Sequence, residues 1–322
     1  MAGDSLRIEI LTPVRADSTR GNGVTARRWR ALLTDLGHGV QIAASTSVGE
    51  ECDLLVALHA RKSASAILAF RESHPDKKIV LAMTGTDLYL DLPESTEALS
   101  AIEVADRIVT LQPLATKRLP EPARDRARVI YQSVSAAPSS CPTLRPGFPI
   151  CVLAHLRGVK DPLIAARAVA LLPPESRVQV TLAGSASSVE WRERAMAAQE
   201  QNPRFAWVGE LSAPETADHL ASSAAVVVSS RMEGGANVVS EAVVRGVAVL
   251  ATGIDGNLGL LGADYEGYFP VGDERALARL MARIESEPSY LGGLQDHIRG
   301  LRPRFEPASE REAWRVLLDE LF

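Results

Sequence analysis

Short apolar segments alternate with helical stretches along most of this chain, and this pattern constrains the fold more than any other feature. In the first half, strands are predicted near residues 6–11, 40–43, 54–58, 78–83, 107–111 and 128–131. A second set is predicted near residues 150–156, 177–183, 204–208, 224–229 and 247–251. Because such alternation builds parallel sheets covered by helices on both faces, the sequence predicts an α/β protein with two doubly wound domains.

A stretch rich in proline and serine separates the two sets. It covers residues 133–148 and has the composition of a linker. We therefore expect a first Rossmann-like domain over residues 1–140, a second over residues 141–305, and a C-terminal helix over residues 306–322. Since ligands bind at the carboxyl ends of the strands in open α/β sheets, these ends are where functional residues are expected.

Composition excludes several classes of protein. The net charge of −5 argues against binding to nucleic acid, which needs a basic surface. The longest apolar segments have the length of strands, and residues 1–11 lack the pattern of a signal peptide. Cys52, Cys141 and Cys151 are scattered without the spacing of a metal site, as expected for reduced thiols. We expect a cytoplasmic protein that binds small molecules and neither nucleic acid nor membranes.

Two glycines and two acids mark the most informative motif. Gly234 and Gly235 follow the apolar residues 224–230 and precede a helix predicted over residues 237–245. Glycines let a backbone approach a ligand closely, and the start of a helix favours an anion. Glu241 lies one helical turn further on, within reach of a hydroxyl group such as that of a ribose. The motif indicates a nucleoside diphosphate attached to a sugar; the alternative is an ordinary turn with solvated glutamates.

Glu233 and Glu241, with the two glycines between them, resemble the Glu-x7-Glu motif of retaining glycosyltransferases of family 4. This resemblance implies a GT-B fold, in which two Rossmann-like domains face each other across a cleft and the C-terminal helix packs back toward the first domain. It also implies that Glu241 holds the ribose, that Glu233 faces the donor sugar, and that a turn after residues 204–208 contacts the base. The implied donor-binding residues are Gly209, Leu211, Gly234, Gly235, Ala236, Asn237, Val238 and Glu241.

Two cations follow the first strand of the second domain. Arg157 and Lys160 come after residues 150–156, and Asp161-Pro162 is predicted to cap and start a helix. Family 4 enzymes carry an arginine and a lysine here that clamp the donor diphosphate, although the interval in this chain is shorter. The sequence contains no Asp-x-Asp pair for a nucleotide-bound metal ion. We therefore expect neither a metal nor a cofactor, with cations and backbone amides neutralising the diphosphate.

Residues 21–26 (Gly-Asn-Gly-Val-Thr-Ala) formally match a dinucleotide-binding motif, but their context does not fit. The glycines lie about ten residues beyond the first strand, and Ala44-Ser45-Thr46 stand where an acidic residue would bind ribose. NAD binding is therefore disfavoured, and we interpret these residues as a loop on the acceptor side. Positive charges and hydroxyls after strands three and four, at residues 59–62 and 84–87, favour a small anionic acceptor.

The chain also resembles the selenosugar synthases of selenoneine biosynthesis (SenB-type). The resemblance rests on Thr12-Pro13, Gly21-Asn22-Gly23, residues 58–63 (Leu-His-Ala-Arg-Lys-Ser), residues 84–89 (Thr-Gly-Thr-Asp-Leu-Tyr), Leu111-Gln112-Pro113, Gln132-Ser133 and residues 230–237 (Ser-Arg-Met-Glu-Gly-Gly-Ala-Asn). It implies transfer of a sugar from UDP-N-acetylglucosamine or UDP-glucose to selenophosphate. It also implies functional links to an enzyme that produces selenophosphate and to one that uses the selenosugar.

Roles follow from these resemblances by position. The expected catalytic residues are Arg157, Lys160, Glu233 and His59, with His59 orienting the acceptor or contacting the sugar. The expected acceptor-binding residues are Asn22, Gly23, Thr25, Lys62, Thr84, Gly85, Thr86 and Arg231. Two alternatives remain open. One is a family 4 transferase with a hydroxyl acceptor, and the other is a nucleotide-sugar-binding protein without catalysis. An epimerase is disfavoured, because no acid–base carboxylates stand out for the sugar.

Overall fold

The computed structural model describes residues 5–14, 21–44, 52–92, 94–135 and 147–322. The chain forms two compact units. The first holds residues 1–133, 233–237 and 304–322, and the second holds residues 134–232 and 238–303. The expected domain boundary at residues 140 and 141, together with Cys141, lies outside the described residues.

The first unit contains a six-stranded parallel sheet with the strand order β2-β1-β3-β4-β5-β6. Its strands are β1 (Arg7–Thr12), β2 (Gly39–Ala44), β3 (Leu54–Leu58), β4 (Lys78–Ala82), β5 (Arg107–Thr110) and β6 (Ala127–Val129). Its helices before the linker are α1 (Gly21–Asp35), α2 (Ala60–Ser73), α3 (Thr96–Val104), α4 (Pro113–Thr116) and α5 (Glu121–Arg124). A π-helical turn at Asp87–Asp91 follows β4.

Alternate residues of β3 pack on opposite faces of this sheet. Val56 belongs to a core cluster with Trp29 of α1, whereas Leu55 belongs to a second cluster with Ile67 of α2. All five residues of β3 are buried. Covering both faces explains why β3 is continuously apolar, as strands of parallel sheets are.

The second unit contains another six-stranded parallel sheet, with the strand order β12-β11-β10-β7-β8-β9. Its strands are β7 (Phe148–Leu153), β8 (Val178–Ala183), β9 (Phe205–Trp207), β10 (Ala225–Val228), β11 (Ala248–Thr252) and β12 (Tyr268–Phe269). Its helices are α6 (Ile164–Ala170), α7 (Val189–Gln201), α8 (Ala213–Ala221), α9 (Asn237–Arg245), α10 (Asp255–Leu261), α11 (Glu274–Ser286) and α12 (Pro288–Leu301). Asn237, the first residue of α9, is grouped with the first unit.

The C-terminal helix α13 (Pro307–Asp319) belongs to the first unit and packs on α1. The rings of Trp29 and Trp314 meet edge to face with their centroids 4.9 Å apart. Glu310 is 1% exposed, and its carboxylate accepts hydrogen bonds from the Trp29 indole at 2.7 Å and from the Ser133 amide at 2.7 Å. The buried Glu310 carboxylate thus links α13 both to α1 and to Ser133, the last residue of the first segment of this unit.

Two expectations about local structure are wrong. Residues 21–26, expected as a loop, form the first turns of α1, which begins at Gly21. Asp161 does not start a helix; it ends a 3-10 turn (Gly158–Lys160) with a left-handed φ of 40°, and α6 begins at Ile164. In addition, β12 was not predicted, because it is only two residues long. Within the described residues, no helix is both long and apolar enough to cross a membrane.

Candidate functional site

Strand order identifies the most favourable ligand site of the second unit. The chain continues from β7 to β8 on one side of the sheet, and β10 then returns to the other side of β7. In such sheets ligands bind beyond the carboxyl ends of the strands at this switch point. The loops that leave β7 and β10 are joined by hydrogen bonds from the Arg231 amide to the Val159 carbonyl and from the Ser229 hydroxyl to the Lys160 carbonyl, both at 2.8 Å.

Both cations predicted to clamp the diphosphate lie in the loop after β7. Arg157 is exposed and directly precedes the 3-10 turn that ends with Lys160. The Lys160 amide donates to the Arg157 carbonyl at 3.0 Å, which keeps the two residues in one tight turn. Because the turn is tight, Arg157 and Lys160 lie close together, and only two residues separate them in the sequence.

The neighbouring strand contributes residues that the sequence analysis did not single out. A Cβ added to Gly184, after β8, would lie 2.0 Å from the Ala154 carbonyl oxygen, so only glycine allows these two loops to approach. His155 and Ser185 follow, with the imidazole Nδ1 and the hydroxyl 2.8 Å apart. The sequence could not predict this contact, because the two residues follow different strands. Their positions just after strand ends were the one feature that indicated a place near the site.

The remaining predicted donor-binding residues of the second unit lie after β9 and in α9. Gly209 has a φ of 75° and no atom near its hypothetical Cβ, so its backbone conformation is what requires glycine there. Leu211 is half-buried. Val238 and Glu241 are half-buried in the first turns of α9, where backbone N–H groups lack intrahelical partners.

Residues 233–237 belong to the first unit, and their glycines pack against its backbone. A Cβ added to Gly234 would lie 2.7 Å from the Gly85 nitrogen, and one added to Gly85 would lie 2.7 Å from the Gly234 nitrogen. A Cβ on Gly235 would lie 2.8 Å from the Leu111 Cβ. Close packing therefore requires glycine at these positions, a role that the sequence analysis missed. Glu233 is half-buried, Ala236 is 6% exposed, and the Asn237 side-chain oxygen is buried without a hydrogen-bond partner.

His59 stands at the carboxyl end of β3, directly before α2. Its φ is 74°, its side chain is 2% exposed, and its Nδ1 accepts from the Lys62 amide at 3.5 Å. Burial, with a smaller contribution from the Lys62 charge, lowers the pKa of His59 to about 4. A neutral imidazole with an accepting Nδ1 carries its proton on Nε2, which lies 3.3 Å from the Thr86 hydroxyl. His59 is therefore suited to donating a hydrogen bond and not to carrying positive charge.

Asp87 is a buried carboxylate that the sequence analysis did not assign to the site. It accepts hydrogen bonds from the amide and hydroxyl of Thr84, both at 2.7 Å, and from the Ala60 amide at 2.9 Å. Burial raises the pKa of Asp87 to about 6 despite these donors. The carboxylate joins the start of α2 to the loop after β4, so it fixes the positions of both predicted acceptor segments.

The other predicted acceptor residues differ in accessibility. Lys62 is exposed on the first turn of α2, and Thr84, Gly85 and Thr86 are half-buried. Thr25 is 4% exposed and its hydroxyl accepts from the Gln132 side chain at 2.6 Å, while Gly23 is buried and Asn22 half-buried. Arg231 lies in the second unit, where its guanidinium contacts Asp161. The assignment of these residues to an acceptor stays a prediction.

Comparison with known proteins agrees with this architecture. Residues 147–298 match the family described as glycosyl transferases group 1. No curated protein matches the chain in sequence. The matching segment comprises 152 residues, nearly all within the second unit.

Several solved structures match nearly the whole chain. HepE of Anabaena in complex with UDP and glucose has a TM-score of 0.77 and 16% identity, covering 98% of this chain and 100% of its own. Sucrose-phosphate synthase of Thermosynechococcus elongatus has a TM-score of 0.79 and 16% identity, with 98% and 99% covered. The catalytic domain of starch synthase IV of Arabidopsis thaliana, bound to ADP and acarbose, has a TM-score of 0.74 and 12% identity, with 99% of each chain covered. The fold is therefore GT-B.

Proposed function

We propose that this protein is a glycosyltransferase that moves a sugar from a UDP-sugar to selenophosphate and so forms a carbon–selenium bond. The observation that carries the transferase assignment is the cationic turn at the switch point of the second unit, within the segment that matches group 1 glycosyltransferases. A UDP-sugar is favoured because HepE, a similar fold, has been solved with UDP-glucose. The proposed sugar is N-acetylglucosamine or glucose.

In the proposed reaction, the second unit stabilises the leaving diphosphate. Arg157 and Lys160 neutralise the charge that grows on UDP as the bond between the sugar C1 and the diphosphate oxygen breaks. The N–H groups at the start of α9 add a favourable dipole, and Glu241 holds the ribose hydroxyls. Neither a metal nor a cofactor is required in this scheme.

The proposed nucleophile is the anionic selenium of selenophosphate. Selenium forms a bond to C1 of the sugar while UDP departs with the bonding electron pair. Water then attacks phosphorus, the phosphorus–selenium bond breaks, and inorganic phosphate leaves the selenosugar behind. Because the selenium is already anionic and polarizable, the reaction needs no strong general base, which suits a His59 that burial keeps neutral and whose pKa lies near 4.

Selenophosphate is proposed on the sequence resemblance of the first unit, together with its chemistry. Lys62 supplies an accessible cation at the start of α2, and Thr84, Gly85 and Thr86 supply amides and hydroxyls after β4. Asn22, Gly23 and Thr25 complete the proposed acceptor residues from the first turns of α1. Glu233 is proposed to face the donor sugar from the loop after β10.

A hydroxyl acceptor is the second candidate. The family match begins at residue 147, so it supports the donor half alone and does not select the acceptor. The starch synthase bound to acarbose and ADP has a similar fold, so this architecture also occurs with a carbohydrate ligand and with another nucleotide.

The selenophosphate proposal includes a cytoplasmic location. It also includes functional links to an enzyme that supplies selenophosphate and to one that uses the selenosugar.

UDP release tests the proposed reaction. The purified protein is incubated anaerobically with UDP-N-acetylglucosamine or UDP-glucose, with and without selenophosphate, and UDP is quantified by chromatography. We expect release that depends on selenophosphate, together with a selenium-containing sugar detected by mass spectrometry. Release with sugars or small alcohols, and none with selenophosphate, would replace this acceptor with a hydroxyl group. UDP binding without turnover of any acceptor would instead indicate a binding protein.

A further inference from the structure

We infer that Arg231 is a third cationic ligand of the donor diphosphate and that Asp161 is the positioning residue that orients it. This inference rests on the proposed use of a UDP-sugar. It differs from the expectation that Arg231 binds the acceptor, because the contacts of Arg231 lie with the diphosphate-clamping turn of the second unit.

The backbone of Arg231 is fixed beside that turn. The Arg231 amide donates to the Val159 carbonyl at 2.8 Å, and the hydroxyl of nearby Ser229 donates to the Lys160 carbonyl at the same distance. On the other side, the Thr252 hydroxyl donates to the Ser230 carbonyl at 2.6 Å. Hydrogen bonds from two neighbouring strand ends thus hold the residue at the switch point where Arg157 and Lys160 lie.

Asp161 holds the side chain of Arg231. The carboxylate is 2.9 Å from the Arg231 Nη2 and 3.4 Å from the Arg167 Nη2, and the residue is 8% exposed. Its left-handed φ of 40° is uncommon for a residue other than glycine, although aspartate and asparagine tolerate it best. Such a conformation persists where the surrounding contacts require it. Here it turns the carboxylate that follows Lys160 onto the arginine that follows β10.

The guanidinium of Arg231 keeps donors for a second anion. Arginine has five N–H donors in a planar fork that matches phosphate geometry, and the Arg231 side chain is 55% exposed despite its bond to Asp161. Gly272 is a neighbour of this guanidinium, since a Cβ built on it would lie in ordinary contact, 3.9 Å from the Arg231 Nη2. Three cations and one carboxylate leave a net positive charge for the diphosphate, while Asp161 prevents Arg231 from swinging away.

Calorimetric titration with UDP and with uridine tests the role of Arg231. Arg231→Gln should weaken UDP binding by about 10- to 100-fold, because one charge-assisted bond to phosphate is lost. Binding of uridine, which has no phosphate, should change less than twofold in the same variant. Arg167→Gln is the matched control, since it removes the other arginine that contacts Asp161, and it should leave UDP affinity within twofold of the wild type.

Asp161→Asn tests positioning, because asparagine also tolerates the left-handed conformation. We expect UDP affinity to fall several-fold and uridine affinity to remain. UDP affinity that is unchanged in Arg231→Gln would overturn the ligand role, and tighter UDP binding by Asp161→Asn would overturn positioning, since Asp161 would then compete with the diphosphate. A wild-type protein that binds no UDP would count against the proposed donor, which separates that failure from failure of this inference.

Discussion

The two units present their candidate functional groups in opposite ways. In the second unit the cations are accessible: Arg157 is exposed and the Arg231 side chain is 55% exposed. In the first unit, two polar side chains at the strand ends are buried, with His59 1% exposed and Asp87 fully buried, while Thr84 is half-buried and Lys62 is exposed on α2. Long, accessible cations suit a flexible diphosphate, whereas a buried network suits a small acceptor that must be held in one geometry. The comparison predicts that the proposed donor and the proposed acceptor are recognised by different physical means.

Loss of Arg157 should produce the largest effect and test the donor side of this comparison. Arg157→Ala should lower kcat by about 10²- to 10³-fold, equivalent to about 2–4 kcal/mol of transition-state stabilisation. Steady-state UDP release measures it. Arg177→Ala is the matched control, because Arg177 precedes β8 at the opposite edge of the same sheet and is 70% exposed. Equal losses in both variants would mean that general surface charge, and not the clamp, is responsible.

The effect of acid on the free energy of unfolding tests whether His59 is buried and neutral. Because the pKa of His59 is lowered from its ordinary value to about 4, the folded protein binds fewer protons than the unfolded chain between pH 6.5 and 4. The contribution of His59 to the free energy of unfolding should therefore fall by roughly 3 kcal/mol as the pH drops through that window. The raised pKa of Asp87 opposes this change between its ordinary value and about 6, since the folded state there binds more protons.

His59→Asn separates these two contributions. Asparagine tolerates a positive φ, has an oxygen that can accept from the Lys62 amide, and does not titrate. Urea unfolding at several pH values should show less loss of stability on acidification in this variant than in the wild type. The same pH dependence in both proteins would contradict a neutral, buried His59.

A methyl group at Gly234 tests the packing of the loop that carries Glu233. Gly234→Ala should lower the free energy of unfolding by about 1–3 kcal/mol, because its Cβ would lie 2.7 Å from the Gly85 nitrogen and cannot move aside. Gly293→Ala is the control: this exposed glycine lies inside α12 with no atom near its Cβ, and alanine there should stabilise by about 0.5–1 kcal/mol. Denaturant unfolding of both variants measures the difference, and a tolerated Gly234→Ala would rule out the tight approach.

The alternation of apolar segments and helical stretches predicted the framework of both sheets, because a strand is visible in the sequence as a local apolar segment. Residues 54–58 are continuously apolar and form β3 with the same bounds. The start of α1 was missed, since Gly21, Asn22 and Gly23 have weak helical preference. The left-handed Asp161 depends on Arg231, 70 positions away, and no local pattern encodes that contact.

The candidate site shows the same limit. Strand ends identified Arg157, Lys160, His59 and Thr84 as residues near ligand positions, since parallel strands bring these ends to one edge of each sheet. The sequence did not indicate that Asp87 joins two loops, or that Gly234 and Gly85 exclude side chains from each other. Such roles are set by contacts between distant segments and become visible only in three dimensions.

Michaelis constants for both substrates in two variants test the division of recognition most directly. Glu241→Gln should raise the KM for the UDP-sugar about 10-fold or more, through a weakened charge-assisted bond to the ribose, and leave the KM for selenophosphate unchanged. Lys62→Gln should raise the KM for selenophosphate several-fold and leave the KM for the UDP-sugar unchanged. If each variant raised both constants equally, donor and acceptor would not be recognised by separate residues, and the account would be wrong.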